Sequence, residues 1–240
     1  MNLIGTFLNL LFPSRCPSCD GPSASSLSHH PFCSACWEGI ERYTAPACLL
    51  CGVPTSSFHT TRCASCMKTP PPFSKTLFYG IYDGTLKEAI HLLKFRGLKR
   101  LARPLGLLLA TLPLPPAHAI VPVPLHKKRL REREFNQTAL LGRWLSKERA
   151  VPLLPDALRK TRETPHQTGR GREERLKNVL NAFDVPGTSA GQVEGRDLLL
   201  LDDVITTGTT ARECSRALAK AGARSVTVVA LARSLPRQHL

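Results

Sequence analysis

The apolar residues in the last third of the chain predict a buried strand followed by a helix. Residues 198–201 are four consecutive leucines, a run that is too short for a typical helix and lacks the polar alternation of a half-exposed strand. We therefore expect a central parallel strand that is covered on both faces. After it, apolar positions recur at i, i+3, i+7 and i+10, which predicts a buried helix face carrying Ala211, Cys214, Leu218 and Ala221.

Patterns of the same two kinds predict the other elements of an α/β domain. We expect a strand over 77–82, a helix opening at Gly84 that buries Leu86, Ile90 and Leu93, a strand over 119–123, and a helix packed through Leu141, Trp144 and Leu145. A helix carrying Leu176, Val179, Leu180 and Phe183, a surface loop over 187–195 and a buried strand over 226–231 complete the series. The prediction is a doubly wound, mainly parallel sheet.

The residues after the leucine strand have the chemistry of a ligand site. Asp202 and Asp203 end the strand, and a hydroxyl-rich turn follows, made of Thr206, Thr207, Gly208, Thr209 and Thr210. Ligands of open α/β sheets bind at the carboxyl ends of the strands. The free N–H groups of a helix N-terminus suit a phosphate. The two carboxylates would accept hydrogen bonds from a sugar diol or hold a hydrated Mg²⁺.

Two other interpretations of this stretch are simpler or more familiar. Asp203 could act as a helix cap while the threonines fill a turn, but the hydroxyl–glycine–hydroxyl string after a buried strand argues against that interpretation. The acidic strand end of a P-loop ATPase requires an upstream G-x-x-x-x-G-K-[ST], which the sequence lacks.

Four C-x-x-C pairs between residues 16 and 66 predict two zinc sites. The pairs are Cys16/Cys19, Cys33/Cys36, Cys48/Cys51 and Cys63/Cys66. Two cysteines three apart can offer both sulfurs to one tetrahedral Zn²⁺, and a second pair completes the four ligands. A segment so rich in Pro, Ser and Gly cannot fold without such staples, so we expect two structural zinc ions. Disulfides are the alternative, and spacing leaves sequential and cross-braced pairing of the cysteines both open.

Composition indicates the partner class and the compartment. A net charge of +15 and a pI near 9.9 favour an anionic partner such as nucleic acid, a phosphorylated ligand or a membrane surface. The apolar residues 1–11 are too few to span a bilayer and have no basic flank. We therefore expect no membrane span and a cytoplasmic protein, in which paired cysteines bind metal. We place the zinc-binding module at 1–69 and the α/β domain at 70–240, joined by the prolines of 69–72.

Three basic segments lie in the α/β domain. Residues 94–100 hold four cations around Phe95, a pattern that usually forms a solvated face and that could also bind a nucleic-acid backbone. The strand over 119–123 leads to His126, Lys127, Lys128, Arg129, Arg131 and Arg133. Residues 159–177 contain Arg159, Lys160, Arg162, Arg170, Arg172, Arg175 and Lys177. Lysines and arginines at such positions can neutralise pyrophosphate, and arginine can do so with two parallel hydrogen bonds.

The stretch LLLLDDVITTGTTA at 198–211 resembles the phosphoribosyl-pyrophosphate (PRPP) signature of type I phosphoribosyltransferases. The segment VPVPLHKKRLR leading to Phe135-Asn136-Gln137, the segments around Lys160 and Asn178, and the cysteine pairs extend the resemblance to the competence-associated ComF family over nearly the whole chain. Glu134 departs from that family, which usually has glycine before Phe-Asn-Gln.

The resemblance implies particular roles for these residues. It implies a double zinc ribbon with sequential pairing, PRPP bound with Mg²⁺ by Asp202, Asp203 and residues 206–210, and a pyrophosphate loop containing Lys127, Lys128 and Arg129. Residues 159–177 would form a lid that closes over the pyrophosphate. Lys160 and Arg162 would stabilise that leaving group.

Three functions are consistent with these features. The resemblance implies a PRPP-binding protein that handles single-stranded DNA in natural transformation, with other competence proteins as partners. An active phosphoribosyltransferase acting on a nucleobase or amine is the alternative, although no acceptor pocket can be identified from the sequence. A structural adaptor without chemistry is the third hypothesis, and the intact acids and threonine loop argue against it.

Overall fold

The computed structural model describes residues 14–23, 29–162 and 181–235. Its strands are β1 (Lys75–Ile81), β2 (Ala119–Pro122), β3 (Arg159–Lys160), β4 (Phe183–Asp184), β5 (Asp197–Ile205) and β6 (Ser225–Arg233). Its α-helices are α1 (Ser34–Glu38), α2 (Ala64–Lys68), α3 (Gly84–Phe95), α4 (Ala102–Ala110), α5 (Lys127–Arg133), α6 (Gln137–Arg149), α7 (Ala190–Val193) and α8 (Thr209–Lys220). Short 3-10 turns cover Lys99–Leu101 and Gly187–Ser189.

Four parallel strands form the central sheet in the order β1–β6–β5–β2. The four leucines of β5 are at most 1% exposed, because side chains alternate along the strand and both faces are covered. Leu199 and Leu201 share a core with α3, α4 and α6, whereas Leu198 and Leu200 share a second core with α8. The predicted doubly wound parallel sheet is confirmed.

Most of the predicted elements are present, with their ends displaced by a few residues. The helix at Gly84 is confirmed as α3, and its Leu86, Ile90 and Leu93 are buried. In α8 the predicted face is buried at Ala211, Cys214 and Leu218, and Ala221 lies just beyond the last helical residue, Lys220. In α6, Leu141 and Leu145 are fully buried and Trp144 is half-buried.

Two predictions about the segment before β5 are wrong. Phe183 lies in β4, where it pairs with Lys160 of β3, and not in a helix. The remainder of that predicted helix falls outside the described residues. Most of residues 187–195 are exposed as predicted, but residues 187–193 are not a loop, because they form a 3-10 turn and α7. Val193 is buried in the core beside α8, and this tertiary contact outweighs the loop preference of the glycines around it.

The cysteine-rich region packs directly on the sheet. Phe32 and Ile40 are buried in the same core as α3 and α4. The Tyr43 N–H donates to the Tyr79 carbonyl (2.7 Å), and the Thr76 N–H and hydroxyl donate to the Leu49 and Leu50 carbonyls (3.1 and 2.6 Å). The outer edge of β1 is therefore covered, which protects an edge strand from pairing with other chains.

Candidate zinc centres and ligand site

The eight paired cysteines form two clusters of four. Within each cluster the sulfur atoms all lie within 4.8 Å of one another, and the clusters are Cys16, Cys19, Cys33, Cys36 and Cys48, Cys51, Cys63, Cys66. The sulfurs of Cys19 and Cys33 are 3.8 Å apart, and those of Cys51 and Cys63 are 3.6 Å apart. A tetrahedral zinc with Zn–S bonds of about 2.3 Å requires sulfur separations of roughly 3.8 Å. The residues fit structural zinc, and the pairing is sequential, not cross-braced.

Each cluster is built from a tight turn and a short helix. The first C-x-x-C pair of each cluster lies in a turn. In one cluster the Asp20 N–H donates to the Cys16 carbonyl, and in the other the Gly52 N–H donates to the Cys48 carbonyl, both at 2.8 Å. In the second pair, Cys33 and Cys63 immediately precede α1 and α2. Burial raises the pKa of the Cys16 thiol, but hydrogen bonds from backbone groups outweigh burial and lower it to about 6. The same balance brings Cys48 to a pKa of about 7, whereas burial raises the pKa of Cys51 to about 11, so Cys48 is the readier of the two to supply the thiolate that zinc requires.

Asp203, at the carboxyl end of β5, is held by two side chains from the same face of the sheet. Its Oδ1 lies 2.6 Å from Lys94 Nζ at the end of α3, and its Oδ2 accepts a hydrogen bond from Gln137 Nε2 of α6 (2.7 Å). The side chains of Asp203 and Lys94 are 6% and 16% exposed. The charge of Asp203 is therefore compensated inside the protein, in a fixed geometry.

Asp202 lies on the opposite face and has a different environment. Its Oδ1 accepts a hydrogen bond from the Asp203 N–H (2.8 Å). Burial, together with the neighbouring Asp203 charge, raises the pKa of Asp202 to about 7. Burial also raises the pKa of Cys214 of α8, on which Asp202 and Lys160 both act electrostatically. A bound cation or a diol would therefore stabilise the charged form of Asp202.

The hydroxyl-rich turn joins β5 to α8 as predicted. Gly208 has φ of +76° and occupies the N-cap position of α8, a left-handed conformation that costs glycine little. The Thr207 and Thr209 hydroxyls are 2.9 Å apart, and Thr206 and Thr207 are exposed. Exposed hydroxyls ahead of the N-terminus of a 12-residue helix give the turn the donors that a phosphate requires.

The predicted basic segment at 126–133 forms α5, which begins beyond the end of β2. Because β2 and β5 are adjacent and parallel, α5 and the threonine turn follow them at the same edge of the sheet, the one formed by the carboxyl ends of the strands. Lys127 and Lys128 are exposed and Arg129 is half-buried. Arg133 lies over the Phe95 ring (4.8 Å to its centre) and donates to Gln137 Oε1 (3.2 Å).

The Phe-Asn-Gln motif ties α6 to this edge. Asn136 Oδ1 accepts from the Thr138 N–H (3.0 Å), and its Nδ2 donates to the Val123 carbonyl (3.1 Å) at the end of β2. Glu134, immediately before the motif, ends α5 with φ of +63°. Glycine adopts that left-handed conformation without strain, which explains physically why a glycine suits this position and why Glu134 is a strained substitute.

Lys160 belongs to β3 and acts electrostatically on Cys214 of α8, and Arg162 follows β3 by two residues. Lys160 of β3 sits over the Phe183 ring (5.6 Å). Asn181, two residues before β4, is attached to α8, because its N–H donates to Glu213 Oε2 (2.9 Å). Arg170, Arg172, Arg175 and Lys177 fall outside the described residues, so the predicted lid stays a prediction.

Sequence reasoning missed two residues of the site. Lys94 stood in a predicted nucleic-acid segment, but its side chain reaches Asp203. A signal was available, since Lys94 follows Ile90 by four residues and so lies next to the apolar face of α3. The sequence marks Gln137 only as part of the Phe-Asn-Gln motif, and its contact with Asp203 joins residues 66 positions apart.

Comparison with known proteins accounts for both halves of the chain. Residues 7–67 match the double zinc ribbon domain, and residues 149–238 match the phosphoribosyl transferase domain. DNA utilization protein YhgH of Escherichia coli (strain K12) is 34% identical over 94% of this chain and all of its own length. Competence protein F of Haemophilus influenzae is 32% identical over 93% of this chain and 98% of its own length. Competence protein ComFC of Bacillus subtilis (strain 168) is 31% identical over 84% of each chain.

Across residues 14–23, 29–162 and 181–235, no helix combines the length and the apolar composition that crossing a membrane requires.

Proposed function

The chain belongs to the ComF family, and from this membership we propose that it is a cytoplasmic protein of DNA uptake that binds PRPP and handles single-stranded DNA. The observation that carries the PRPP part is the juxtaposition, at one edge of the sheet, of Asp202, the threonine turn and the basic α5. An acid, a set of hydroxyl donors and a cationic helix match the diol, the 5′-phosphate and the pyrophosphate of that ligand.

Each group has a proposed role. Asp202 and Asp203 orient the ribose diol, and Thr206, Thr207, Gly208, Thr209 and Thr210 surround the 5′-phosphate. Lys127, Lys128 and Arg129 of α5, together with Lys160 and Arg162, face the pyrophosphate. Mg²⁺ bound with PRPP would be held beside Asp202, where it would neutralise part of the pyrophosphate charge. Lys94 and Gln137 keep Asp203 fixed in place, so the diol meets a prearranged acid.

Calorimetric titration of PRPP into zinc-loaded protein, with and without Mg²⁺, tests this site. Asp202→Asn should weaken PRPP binding at least about tenfold, because one lost charged hydrogen bond is worth about 1.5–3 kcal/mol. Asp197→Asn is the matched control, since Asp197 lies at the opposite end of β5 and pairs with Arg224. Equal PRPP affinity of the parent and the folded Asp202→Asn variant would show that the site is assigned wrongly.

The proposed DNA surface lies beside this site, on α3, α4, α5 and α6. Phe95 is 57% exposed, and it contacts the tilted His91 ring (4.9 Å between ring centres) and lies under the Arg133 guanidinium. Lys99 lies over the Phe135 ring. The Trp144 ring has two cations over it, Arg103 and Lys147. Aromatic rings among cations bind single strands by base stacking and phosphate contacts. Within the predicted 94–100 segment, Lys94 forms an ion pair with Asp203. Phe95, Arg96 and Lys99 of the same segment are exposed.

Binding of a fluorescent oligonucleotide tests the DNA surface separately. Phe95→Ala should weaken binding about fivefold or more, since stacking on an aromatic side chain contributes about 1–3 kcal/mol per base. Phe58→Ala is the control, because Phe58 is 74% exposed but lies in the cysteine-rich region. Log K should fall with log salt at a slope of about −0.7 for each phosphate contact. Binding that is unmeasurable at low salt would contradict the DNA proposal and leave the PRPP proposal intact.

An active phosphoribosyltransferase is the second candidate, because the acid and the basic groups surround one edge as transfer from PRPP requires. The protein's basic groups would stabilise the departing pyrophosphate while positioned charge favours the oxocarbenium-like ribose. Pyrophosphate release from PRPP in the presence of nucleobases or amines, abolished by Asp202→Asn, would support it. PRPP binding without release under any of these conditions would exclude it.

A further inference from the structure

The second zinc ribbon, residues 48–66, exposes large apolar side chains beside a groove that neither the ligand site nor the DNA surface uses. Phe58 and Leu49 are 74% and 62% exposed. Both line a cavity of about 310 Å³, here called the ribbon groove, whose other walls are residues 42–48, 61, 76–78 and 112–113. Because β1 and β2 are the two outer strands of the sheet, the groove lies beside the strand farthest from the one that precedes α5.

The walls of the ribbon groove are largely apolar and are held in place. Phe78 of β1 is buried, and the Tyr43 ring lies 5.1 Å from it. The backbone of Leu49 is fixed at both ends, because its N–H donates to the Thr61 carbonyl (3.0 Å) and its carbonyl accepts from the Thr76 N–H (3.1 Å). The volume is at the lower end of the about 300–1,000 Å³ of ligand sites. The groove is therefore a preformed concavity with room for one or two side chains.

A tight turn holds Phe58 at the rim of this groove. The Thr60 N–H donates to the Ser57 carbonyl (3.1 Å), and the His59 N–H donates to the Ser57 hydroxyl (3.2 Å). An aromatic side chain that stays in water contributes no burial to folding. Exposed apolar residues beside a concave site and within a polar rim are typical of a surface that another molecule covers.

The charges around the ribbon groove have one sign. The sequence has no Asp or Glu between Glu41 and Asp83, and the cations in that interval are Arg42, Arg62, Lys68 and Lys75. Four cations outweigh the roughly two negative charges of a zinc–thiolate centre, so the segment stays net positive with zinc bound. Arg42 lines the groove, and Arg62 follows one of its lining residues; both are exposed. The molecule that fits this surface is acidic.

The same features decide among three kinds of occupant. A second copy of this chain would bring cations against cations, which costs several kcal/mol when like charges meet in an interface. Single-stranded DNA binds where cations accompany stacked rings, and every cation–ring pair in the described part of the chain lies in the α/β domain. An acidic protein segment with a large apolar residue satisfies both the walls and the rim.

We propose that the ribbon groove binds an acidic segment of a partner protein. One large apolar side chain of that segment packs against Leu49 and Phe58, while its carboxylates face Arg42 and Arg62. The apolar contact supplies most of the affinity, and the charges at the rim speed association and select an acidic partner. The inference rests on neither PRPP binding nor DNA binding, because the groove shares no residue with either site.

Fluorescence anisotropy of labelled nonapeptides, added to the full-length zinc-loaded protein, tests the proposal. The peptides are acidic, neutral or basic, and each has Phe, Leu or Ser at its centre. Acidic peptides centred on Phe or Leu should bind at least about tenfold more tightly than basic peptides or peptides centred on Ser. Phe58→Ser should weaken their binding at least about tenfold. Arg42→Glu should weaken it about threefold or more at low salt, and less at high salt.

Two exposed residues provide matched controls. Met67 of α2 is 64% exposed and does not line the groove, and Lys220 is an exposed cation at the end of α8. Met67→Ser and Lys220→Glu should therefore bind the peptides as the parent does. If Phe58→Ser fails to retain zinc, Leu49→Ser tests the same wall and should weaken binding by a similar factor.

Four results would overturn the proposal. One is the absence of any acidic peptide that binds more tightly than about 1 mM, and another is peptide binding that Phe58→Ser and Leu49→Ser leave unchanged. The third is a photo-reactive p-benzoylphenylalanine in place of Phe58 that cross-links, without peptide, to a second copy or to the apolar residues 1–11. The last is an oligonucleotide affinity that Phe58→Ser lowers as much as Phe95→Ala does, which would assign the groove to nucleic acid.

Discussion

The cysteine clusters and the acidic end of β5 both bring like charges together, and the fold compensates them in different ways. In each ribbon, four cysteines within about twenty residues of sequence converge on one point, where one zinc ion can balance them. At the end of β5, Asp203 is balanced by Lys94 and Gln137, which arrive on two separate helices. The first kind of compensation depends on a ligand and local turns, and the second depends on the packed sheet.

Removal of zinc should produce the largest effect, and it tests whether the zinc ribbons depend on a ligand to balance their cysteine charges. Structural zinc contributes roughly 10–16 kcal/mol to the folding of small domains, so chelation should unfold residues 16–66. Because Phe32 and Ile40 belong to the core with α3, the melting temperature of the α/β domain should also fall. Elemental analysis should return about two zinc ions per chain, and amide exchange should show loss of protection at Tyr43 and Thr76. A zinc-free protein with its cysteines in disulfides would contradict this prediction.

Asp203→Asn should produce the next largest effect, and it tests whether the packed sheet balances the charges of Asp203 and Lys94. The substitution leaves the mostly buried Lys94 ammonium without its partner, and removing one member of a buried pair costs about 3 kcal/mol or more. Denaturant unfolding measures the loss. Asp184→Asn is the control, because the Asp184–Arg159 pair is exposed and should contribute less than about 1 kcal/mol. Equal stability of the two variants would show that Lys94 finds solvent at little cost.

The pH dependence of stability should sharpen the contrast between Asp202 and Asp203. The pKa of Asp202 is raised from 3.8 to about 7 in the fold, so the folded state binds a proton that the unfolded state has lost between these values. This contribution to stability is therefore full below about pH 4 and is lost as pH rises through 7, with a slope approaching about 1.4 kcal/mol per pH unit. The stability difference between the parent and Asp202→Asn should change with pH in that direction. A constant difference from pH 5 to 8 would contradict it.

Glu134→Gly should have the smallest effect and refine the site without disturbing either charge cluster. Releasing a left-handed glutamate removes about 1–2 kcal/mol of strain, and the greater freedom of glycine in the unfolded chain offsets part of the gain. A net stabilisation of up to about 1 kcal/mol is expected. Ala150 also has a positive φ, of 51°, at the end of α6, so Ala150→Gly is a matched control that should behave similarly. A loss of stability in Glu134→Gly alone would mean that the glutamate side chain makes a useful contact.

The sequence by itself determined the elements whose signals are local. Four leucines in a row specify a strand buried on both faces, and Gly208 among threonines specifies the turn before α8. The spacing of the cysteines predicted two metal sites, because the ligands of each site are near neighbours in the chain. The loop predicted over 187–195 failed, since the burial of Val193 depends on a core made by distant segments.

Only the tertiary structure decided how charges are shared across the fold. Spacing left the cysteine pairing open until the two clusters separated in space. Lys94 read as part of a basic surface, and the fold directs it to Asp203. The physical reason is common to both, because the energy of a charge is set by burial and by neighbours that the chain brings together only when it folds.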